Sequence, residues 1–288
     1  MAREIRNVSA SVGARLKNHA RETGSDFQLM LTRYALERLL SRLSRSRHAD
    51  RFILKGALLY TVWLEDPFRP TRDVDFLGFG ASDPEGLAKT FREILAIPAD
   101  EADGLVFDTD GLSAAEIKGK AEYGGVRLET RAWLGRAETR IQIDIGFGDA
   151  VTPAPRRIDY PTLLDAPPPR LRAYPTETVI AEKLQALVHL GFANSRMKDF
   201  YDLAQIARHM PFEGPVLCAA IRATFERRET PLPDGIPDGL SEDFGLSRQA
   251  AQRWTAFLRR ERLALDITLA DLLAELRRFL LPVLGAAH

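Results

Sequence analysis

Residues 69–76 read Arg-Pro-Thr-Arg-Asp-Val-Asp-Phe and place two aspartates on a predicted strand just after a turn-forming proline. Successive side chains of a strand face opposite ways, so Asp73 and Asp75 share one face. Val74 and Phe76 share the other, apolar face. Two neighbouring carboxylates on a half-buried strand repel each other unless a cation neutralises them, and Mg²⁺ takes such oxygen ligands together with substrate phosphates. The spacing therefore predicts a metal-binding strand; an Asp-x-Asp pair on a surface turn is the alternative.

A second predicted strand, residues 139–148, carries a third carboxylate. Its three isoleucines face one side, which leaves Gln142 and Asp144 on the other. If this strand lies beside the first, Asp144 joins Asp73 and Asp75. Three carboxylates can hold two metal ions, one for the attacking hydroxyl and one for the triphosphate and leaving pyrophosphate. The alternative is that Asp144 is only an edge-strand residue.

A glycine upstream of these aspartates marks a candidate contact with phosphate. Lys55, Gly56 and Ala57 lie where a short apolar, strand-like run meets a predicted helix start. Glycine lets the backbone approach a phosphate, and the free N–H groups of a helix N-terminus favour anions. A glycine with only a packing role is the alternative.

Seven prolines between residues 151 and 175 separate two parts of different character. So dense a run is incompatible with helix or central strand and predicts a linker between domains. Before it, strands alternate with helices, including an amphipathic helix over 27–43, which indicates α/β or α+β packing. Beyond it, the apolar spacing predicts helices over 177–190, 196–209, 215–228, 247–260 and 268–281. We expect three parts: an N-terminal helical segment over 1–50, a core over 51–170 and a helical C-terminal domain over 171–288.

The charge balance limits how the chain can meet a nucleic acid. Forty basic and forty acidic side chains give a formal net charge of +0, so such a partner would need a local basic patch. Residues 1–47 hold ten Lys or Arg against four Asp or Glu, which indicates either a phosphate-contacting surface or a solvated helical face. Further candidates are three arginine pairs, Arg227 with Arg228, Arg259 with Arg260 and Arg277 with Arg278.

Several classes of protein are disfavoured. Cys218 is the single cysteine, which excludes an internal disulfide and fits a reducing cytoplasm. Residues 1–16 lack the apolar segment of a signal peptide, and no stretch has the length of a transmembrane helix, so we expect a cytoplasmic protein. The five histidines show no zinc-ligand spacing, and neither a P-loop nor a Rossmann motif is present.

The predicted C-terminal helices carry further charged candidates. Lys183 lies at the margin of an apolar stripe, where it can reach a triphosphate; a lysine that covers apolar surface is the alternative. On the next helix, Asp199 flanks the apolar stripe and Asp202 lies on the outer side, which favours Asp199 as the site residue. Arg196 near that helix start is expected to pair with an aspartate or to contact phosphate.

The chain carries a glycine-containing helix start, then an Asp-x-Asp pair, then a later aspartate. In this order the motifs resemble those of the DNA polymerase beta-like nucleotidyltransferase superfamily. The similarity is most specific to the AbiEii-type nucleotidyltransferase toxins, which include the MenT-type toxins of toxin–antitoxin systems. It covers most of the chain and runs through YALERLLSRLSRS, DRFILKGALLY, FRPTRDVDF, ETVIAEKLQAL and SRMKDFYDL. The resemblance implies an α+β fold, in which a mixed sheet flanked by helices is followed by a helical C-terminal domain.

The resemblance also implies that Gly56 lines the phosphate pocket, that Asp73 and Asp75 bind Mg²⁺, and that Lys183 and Asp199 complete the site; the residues and the resemblance together give the following candidates. The candidate catalytic residues are Asp73, Asp75, Asp144, Lys183 and Asp199. The candidate nucleotide-binding residues are Lys55, Gly56, Ala57, Arg69, Thr71 and Asp202. Asp73 and Asp75 would hold Mg²⁺ in a two-ion site, and superfamily logic adds Asp144 as the third ligand. The family usually shows Gly-Gly or Gly-Ser where this chain has Gly56-Ala57.

Thr71 is a candidate for regulation as well. In related toxins a Ser or Thr near this place is phosphorylated by a partner antitoxin, and the added charge beside the metal carboxylates would compete with the triphosphate. The alternative is that Thr71 only shapes the turn after Pro70.

The implied function is transfer of a nucleoside monophosphate from an NTP to RNA, with the tRNA 3′ end as acceptor and a block of translation as the result. A cognate antitoxin is the implied partner. The motifs support the chemistry, whereas the RNA acceptor comes from the family alone. The alternatives are nucleotidylation of a protein or small molecule, and a non-catalytic RNA-binding module. The intact aspartate pair together with Lys183 argues against the last.

Overall fold

The computed structural model describes residues 7–64, 70–99, 101–117, 124–263 and 265–288. The chain folds as two compact units. The first, called the sheet unit below, comprises Met1–Gly148 and Arg156–Ala173. The second, called the helical unit, comprises Asp149–Pro155 and Tyr174–His288.

A mixed sheet forms the centre of the sheet unit. Its described strands are β1 (Phe52–Lys55), β2 (Asp73–Gly78), β3 (Leu105–Phe107), β4 (Ser113–Glu116), β5 (Gly125–Leu134), β6 (Ala137–Phe147), β7 (Arg156–Asp159) and β8 (Arg170–Ala173). The order is β3-β5-β6-β2-β1-β8-β7, and β4 also pairs with β5. β2 runs parallel to β6 and β1 parallel to β8, whereas the other pairs are antiparallel.

Strict alternation along the central strands separates an apolar face from a polar one. Ile141, Ile143 and Ile145 of β6 are fully buried, as the sequence pattern predicts. On β2 and β1, Phe76 and Phe52 are also buried, with ring centroids 5.8 Å apart. The apolar face is therefore the core of this unit, and the residues between these positions point to the opposite face.

The described helices of the sheet unit are α1 (Val8–Glu22), α2 (Phe27–Arg45), the short α3 (Tyr60–Trp63) and α4 (Pro84–Leu95). The helix predicted over 27–43 is confirmed as α2, which begins where the Asp26 side chain accepts a hydrogen bond from the Leu29 N–H at 3.1 Å. α4 packs its Phe91 ring against Phe52, with centroids 5.1 Å apart.

Part of the basic N-terminal segment is internal. Arg38 and Arg42 of α2 are buried, although they count among the residues expected at a phosphate-contacting surface. Arg42 Nη1 donates to Asp103 Oδ2 at 2.7 Å, and Arg38 pairs with the buried Glu37. For these two arginines the expectation is wrong, since buried charges require internal partners and theirs are satisfied by carboxylates.

The proline-rich stretch is more than the predicted linker. β7 and β8 form a hairpin within it and extend the sheet beyond β1. The seven prolines lie outside both strands, which occupy the proline-free runs 156–159 and 170–173. Since proline disrupts a ladder only where a backbone N–H is required, both strands can pair fully.

The helical unit confirms the helices predicted for the C-terminal half. They are α5 (Thr176–Leu190), α6 (Met197–His209), α7 (Gly214–Arg227), α9 (Arg248–Glu261) and α10 (Leu269–Ala286), with the short α8 (Glu242–Leu246) between them. Leu184, Phe200 and Leu276 are among the fully buried side chains of its core. The predicted fold class, a helix-flanked mixed sheet followed by a helical domain, is confirmed. In the described part of the chain, no helix combines the length and apolar composition needed to span a bilayer.

Candidate active site

Four charged side chains form a row across four neighbouring strands on the polar face of the sheet. The register places Lys55 of β1 opposite Asp75 of β2. Asp75 in turn lies opposite Asp144 of β6, and Asp144 opposite Arg127 of β5. Directly opposed residues project to the same face, and neighbouring strands are about 4.8 Å apart. This charged row is positive, negative, negative and positive in order, so its two carboxylates lie between two cations.

The first aspartate of the pair lies one step along the sheet from the charged row. Asp73 is opposite Gln142 of β6 and shares the face of Asp75, as the strand alternation predicts. Thr71 Oγ1 donates to Asp73 Oδ1 at 2.8 Å and thereby holds this carboxylate. Both aspartates are half-buried, so each keeps access to solvent from its face of the sheet.

Gly56 presses its backbone against the second aspartate. A Cβ at position 56 would lie 2.0 Å from Asp75 Oδ2 and 2.8 Å from its Cγ, closer than any side chain can tolerate. The backbone itself has φ 75° and ψ −160°, a region open essentially to glycine alone. Glycine is therefore required here on two independent grounds.

The helix start predicted after Gly56 differs from expectation. A 3-10 turn over Ala57–Leu59 is followed by a helix, α3, of only four residues, Tyr60–Trp63. So short a helix has little macrodipole, because the partial charges of a longer run of peptides are absent. The contacts instead show that Gly56 allows the backbone to approach Asp75 closely. Ala57 is buried, and Lys55 is half-buried beside it.

The third carboxylate is engaged by an arginine that the sequence analysis did not single out. Arg127 Nε donates to Asp144 Oδ1 at 2.8 Å, and Arg127 Nη2 donates to Asp144 Oδ2 at 2.7 Å. Gln142 Nε2 donates to Oδ2 as well, at 3.2 Å. Within the residues that the structure describes, no three His, Cys, Asp or Glu side chains are grouped to hold a metal ion. The role of Asp144 as a metal ligand stays a prediction.

These hydrogen bonds raise the pKa of the Arg127 guanidinium above its usual value, and the charges of Asp144, Glu129 and Asp73 raise it further. Arg127 is therefore a permanent cation within electrostatic reach of Asp73. A sequence signal for the pair did exist. The strands flanking Gly135 are joined by a two-residue turn with Leu134 opposite Ala137, and counting back from that turn pairs position 127 with 144.

The aspartate pair fits a divalent cation. Asp73 and Asp75 offer hard oxygen ligands on one face, and Gly56 places no side chain at the position where a Cβ would lie 2.0 Å from Asp75 Oδ2. Mg²⁺ is typically bound through one or two carboxylates, with water and substrate phosphates completing its coordination. These two residues are the ones that would hold the ion.

A second cluster of charges is internal to the helical unit. Lys183 Nζ donates to Asp199 Oδ1 at 2.6 Å and to Asp202 Oδ2 at 2.9 Å. Arg196 Nε lies 2.6 Å from Asp199 Oδ2, which confirms the expected pairing of that arginine. The placement of Asp202 on the outer side of its helix is wrong, because both aspartates are fully buried. α5, α9 and α10 pack around α6, so the face that a single-helix projection assigns to solvent is covered.

Two of the paired arginines, which were candidates either for an RNA surface or for solvated helix faces, are bound internally. Arg228 donates to Asp149 Oδ1 at 2.9 Å and to Gln185 Oε1 at 2.9 Å. Arg277 Nη1 donates to the Leu240 carbonyl at 2.8 Å. These contacts hold the helical unit together. The candidate Arg69 lies outside the residues that the structure describes.

A mixed sheet with an Asp-x-Asp pair beside a close-packed glycine, followed by a helical region, is the arrangement expected of a nucleotidyltransferase. The sequence profile of the family "Nucleotidyl transferase AbiEii toxin, Type IV TA system" matches residues 38–275. The chain belongs to this family of nucleotidyltransferase toxins. Membership implies an NTP substrate, a divalent metal and a cognate antitoxin.

Two solved structures share the fold. The protein JHP933 from Helicobacter pylori aligns with a TM-score of 0.53 and 15% identity over 91% of this chain and 94% of that chain. A second H. pylori protein, described as a candidate nucleotidyltransferase, aligns with a TM-score of 0.51 and 17% identity over 91% and 97% of the two chains. Among proteins of curated function, no sequence matches this chain.

Proposed function

We propose that this chain is a Mg²⁺-dependent toxin that transfers a nucleoside monophosphate from an NTP to RNA, at the 3′ end of tRNA, and thereby blocks translation. One observation carries the chemistry: Asp73 and Asp75 lie on one face of β2, and the Gly56 backbone packs against Asp75, where a Cβ would lie 2.0 Å from Oδ2. The family supports the toxin role. The tRNA acceptor rests on the resemblance of the motifs, and the cytoplasmic site of action rests on the single cysteine and the apolar pattern of the sequence.

The described residues support distinct parts of this reaction. Asp73, oriented by Thr71, and Asp75 would hold Mg²⁺, which when bound activates the acceptor hydroxyl and neutralises the triphosphate. Lys55 and Arg127 bring positive charge to the two ends of the charged row, where phosphate oxygens accumulate negative charge during transfer. The acceptor hydroxyl loses its proton to water as its oxygen bonds to the α-phosphorus, and the bond from the α-phosphorus to the α,β-bridging oxygen breaks, so that pyrophosphate leaves with its electron pair.

Lys183 and Asp199 are proposed to serve the same reaction on the strength of the family resemblance. Within the helical unit, Lys183 donates hydrogen bonds to both Asp199 and Asp202, which fix its position. Asp202 is therefore proposed as a positioning residue for Lys183 on the same footing as Asp199. Asp144 stays a candidate metal ligand in this scheme.

An RNA acceptor is supported by a local basic region at one edge of the sheet. β7 and β8 together carry four arginines, Arg156, Arg157, Arg170 and Arg172. Arg157 pairs with Asp50 at 3.1 Å, while Arg156 and Arg170 are exposed. In a chain of zero net charge, contact with a phosphate backbone has to come from such a patch.

The proposal is tested by incubating the purified chain with each α-labelled NTP, Mg²⁺ and total cellular RNA. We expect label in a tRNA-sized band, lost on chelation of the metal and in Asp73→Asn. Label in protein or in a small molecule would refute the RNA acceptor and support nucleotidylation of a protein or a small molecule instead. An absence of label with every NTP and acceptor, from a folded protein, would favour a non-catalytic RNA-binding module.

A further inference from the structure

We infer that Arg127 binds the phosphates of the nucleotide substrate and that Asp144 is the positioning residue that holds it. This inference rests on the proposed function, since it concerns how the NTP is bound at the same face of the sheet. It competes with the candidate role of Asp144 as a third metal ligand, and the experiment below distinguishes the two roles.

The contact between the two side chains fixes the arginine in one orientation. Both oxygens of Asp144 accept from Arg127, one from Nε and one from Nη2, at 2.8 and 2.7 Å. A two-point contact of this kind defines the plane of the guanidinium, whereas a single hydrogen bond would let it rotate. Gln142 holds the carboxylate from the other side. Arg127 is thus preorganised before any ligand arrives, which lowers the entropic cost of binding.

Arg127 remains accessible although it is held. Its side chain is 43% exposed, whereas that of Asp144 is 17% exposed. Both bonds to Asp144 use Nε and Nη2, and Nη1 donates no hydrogen bond to the residues that the structure describes, which exclude 118–123. Guanidinium donors of this geometry suit phosphate oxygens, which accept from the fork of an arginine better than from a lysine.

The position of Arg127 in the charged row supports the same role. Asp144 separates it from Asp75, so the arginine lies two strand spacings, about 9.6 Å, from the strand that would hold the metal. The phosphate chain of a nucleoside triphosphate held at Asp73 and Asp75 through a cation extends several ångströms. Its phosphate oxygens can therefore contact Arg127 at that distance. The arginine also cancels the charge of Asp144, so this carboxylate adds little to the repulsion between the nucleotide and the aspartate pair.

The two possible roles of Asp144 lead to opposite predictions. As a metal ligand, it would have to release Arg127, and its loss would raise the Mg²⁺ concentration needed for activity. As a positioning residue, its loss frees Arg127 to rotate and weakens NTP binding at unchanged Mg²⁺ dependence. The arginine variant separates the roles further, because Arg127→Gln would leave a metal-ligating Asp144 more available.

The test measures equilibrium binding of NTP, NDP and NMP to the full chain in Mg²⁺ without acceptor, and then the KM for NTP and the Mg²⁺ dependence of transfer. We expect Arg127→Gln to weaken NTP binding about tenfold or more, because the variant loses at least one charge-assisted hydrogen bond to phosphate. The same variant should leave NMP binding nearly unchanged. Asp144→Asn should weaken NTP binding in the same direction with the same Mg²⁺ requirement. Arg127→Lys, which keeps the charge and loses the fork, should fall between.

Arg131→Gln is the matched control. Arg131 lies on the same strand and the same face, and it pairs with Glu138 at 3.4 Å instead of with a residue of the charged row. Its substitution should leave nucleotide binding as in the wild type. If Arg127→Gln alone fails to fold, the double variant Arg127→Gln with Asp144→Asn removes both charges, leaves no unpaired carboxylate and carries the same expectation.

Unchanged NTP affinity in Arg127→Gln, or a raised Mg²⁺ requirement in Asp144→Asn with normal NTP affinity, would overturn the inference and leave the proposed function intact. Wild-type protein that binds NTP but labels no acceptor would overturn the proposed function, while the binding comparison would still decide the role of Arg127. Wild-type protein that binds no NTP would overturn both.

Discussion

Gly56→Ala should impair this protein in two separable ways, because the glycine is required both for its backbone conformation and for its contact with Asp75. The positive φ of 75° with ψ −160° costs an alanine about 1–3 kcal/mol of the free energy of unfolding. The new Cβ would lie 2.0 Å from Asp75 Oδ2, so the carboxylate must leave its position, at a further cost of about 0.5–1.5 kcal/mol if its side chain leaves its rotamer. The first effect lowers stability; the second displaces a proposed metal ligand.

Gly80→Ala is the control for strain alone. Gly80 also has a positive φ, of 86°, but a Cβ there would meet nothing closer than Arg51 Nη2 at 3.9 Å. Urea unfolding gives the stability of both variants, and the transfer assay is run at equal concentrations of folded protein. We expect both variants to be destabilised and only Gly56→Ala to lose most of its transfer rate per folded molecule. Equal rates in the two variants would refute the requirement for close approach at Asp75.

Three further outcomes follow from the described contacts. Asp73→Asn should abolish transfer without lowering the midpoint of urea unfolding, because removing one of two like charges relieves repulsion; an unfolded variant would contradict this. Lys183→Met should destabilise the helical unit by about 3–5 kcal/mol, measured by urea unfolding, since its two aspartate partners are fully buried; a stable variant would show that the cluster tolerates uncompensated charge. A hydrogen bond from Arg208 lowers the pKa of Glu275, so this pair stabilises the fold above pH 4.5 and the effect is lost as pH falls through the lowered pKa. Glu275→Gln should therefore lose about 0.2–1 kcal/mol at pH 7 and nothing near pH 2, and an equal loss at both values would exclude this linkage.

Features that repeat along one strand or helix could be predicted from the sequence. The alternation in residues 139–148 correctly placed three isoleucines in the core, and the same period put Asp73 and Asp75 on one face. The helices of the C-terminal half were also predicted, because apolar spacing at 3.6 residues per turn is a local property of the chain. Strand and helix periods follow from backbone geometry, so no distant contact is needed to read them.

Features that depend on a second element could not be predicted in this way. The projection of one helix placed Asp202 outward, whereas α5, α9 and α10 together cover α6 and bury it. The proline-rich stretch was assigned to a linker, whereas it contributes two strands to the sheet, because the hairpin pairs with β1 through residues that the prolines spare.

The composition of the charged row shows the same limit. Lys55, Asp75, Asp144 and Arg127 come from four strands spread over 90 residues of the chain, and no local period relates them. Their pairing depends on β2 lying parallel to β6 and on the two-residue turn that sets β5 against β6. The sequence determines the chemical identity of each side chain. The β5–β6 hairpin sets Arg127 against Asp144 locally, whereas Lys55, Asp75 and Asp144 share a face because hydrogen bonds pair strands that are separate in the chain.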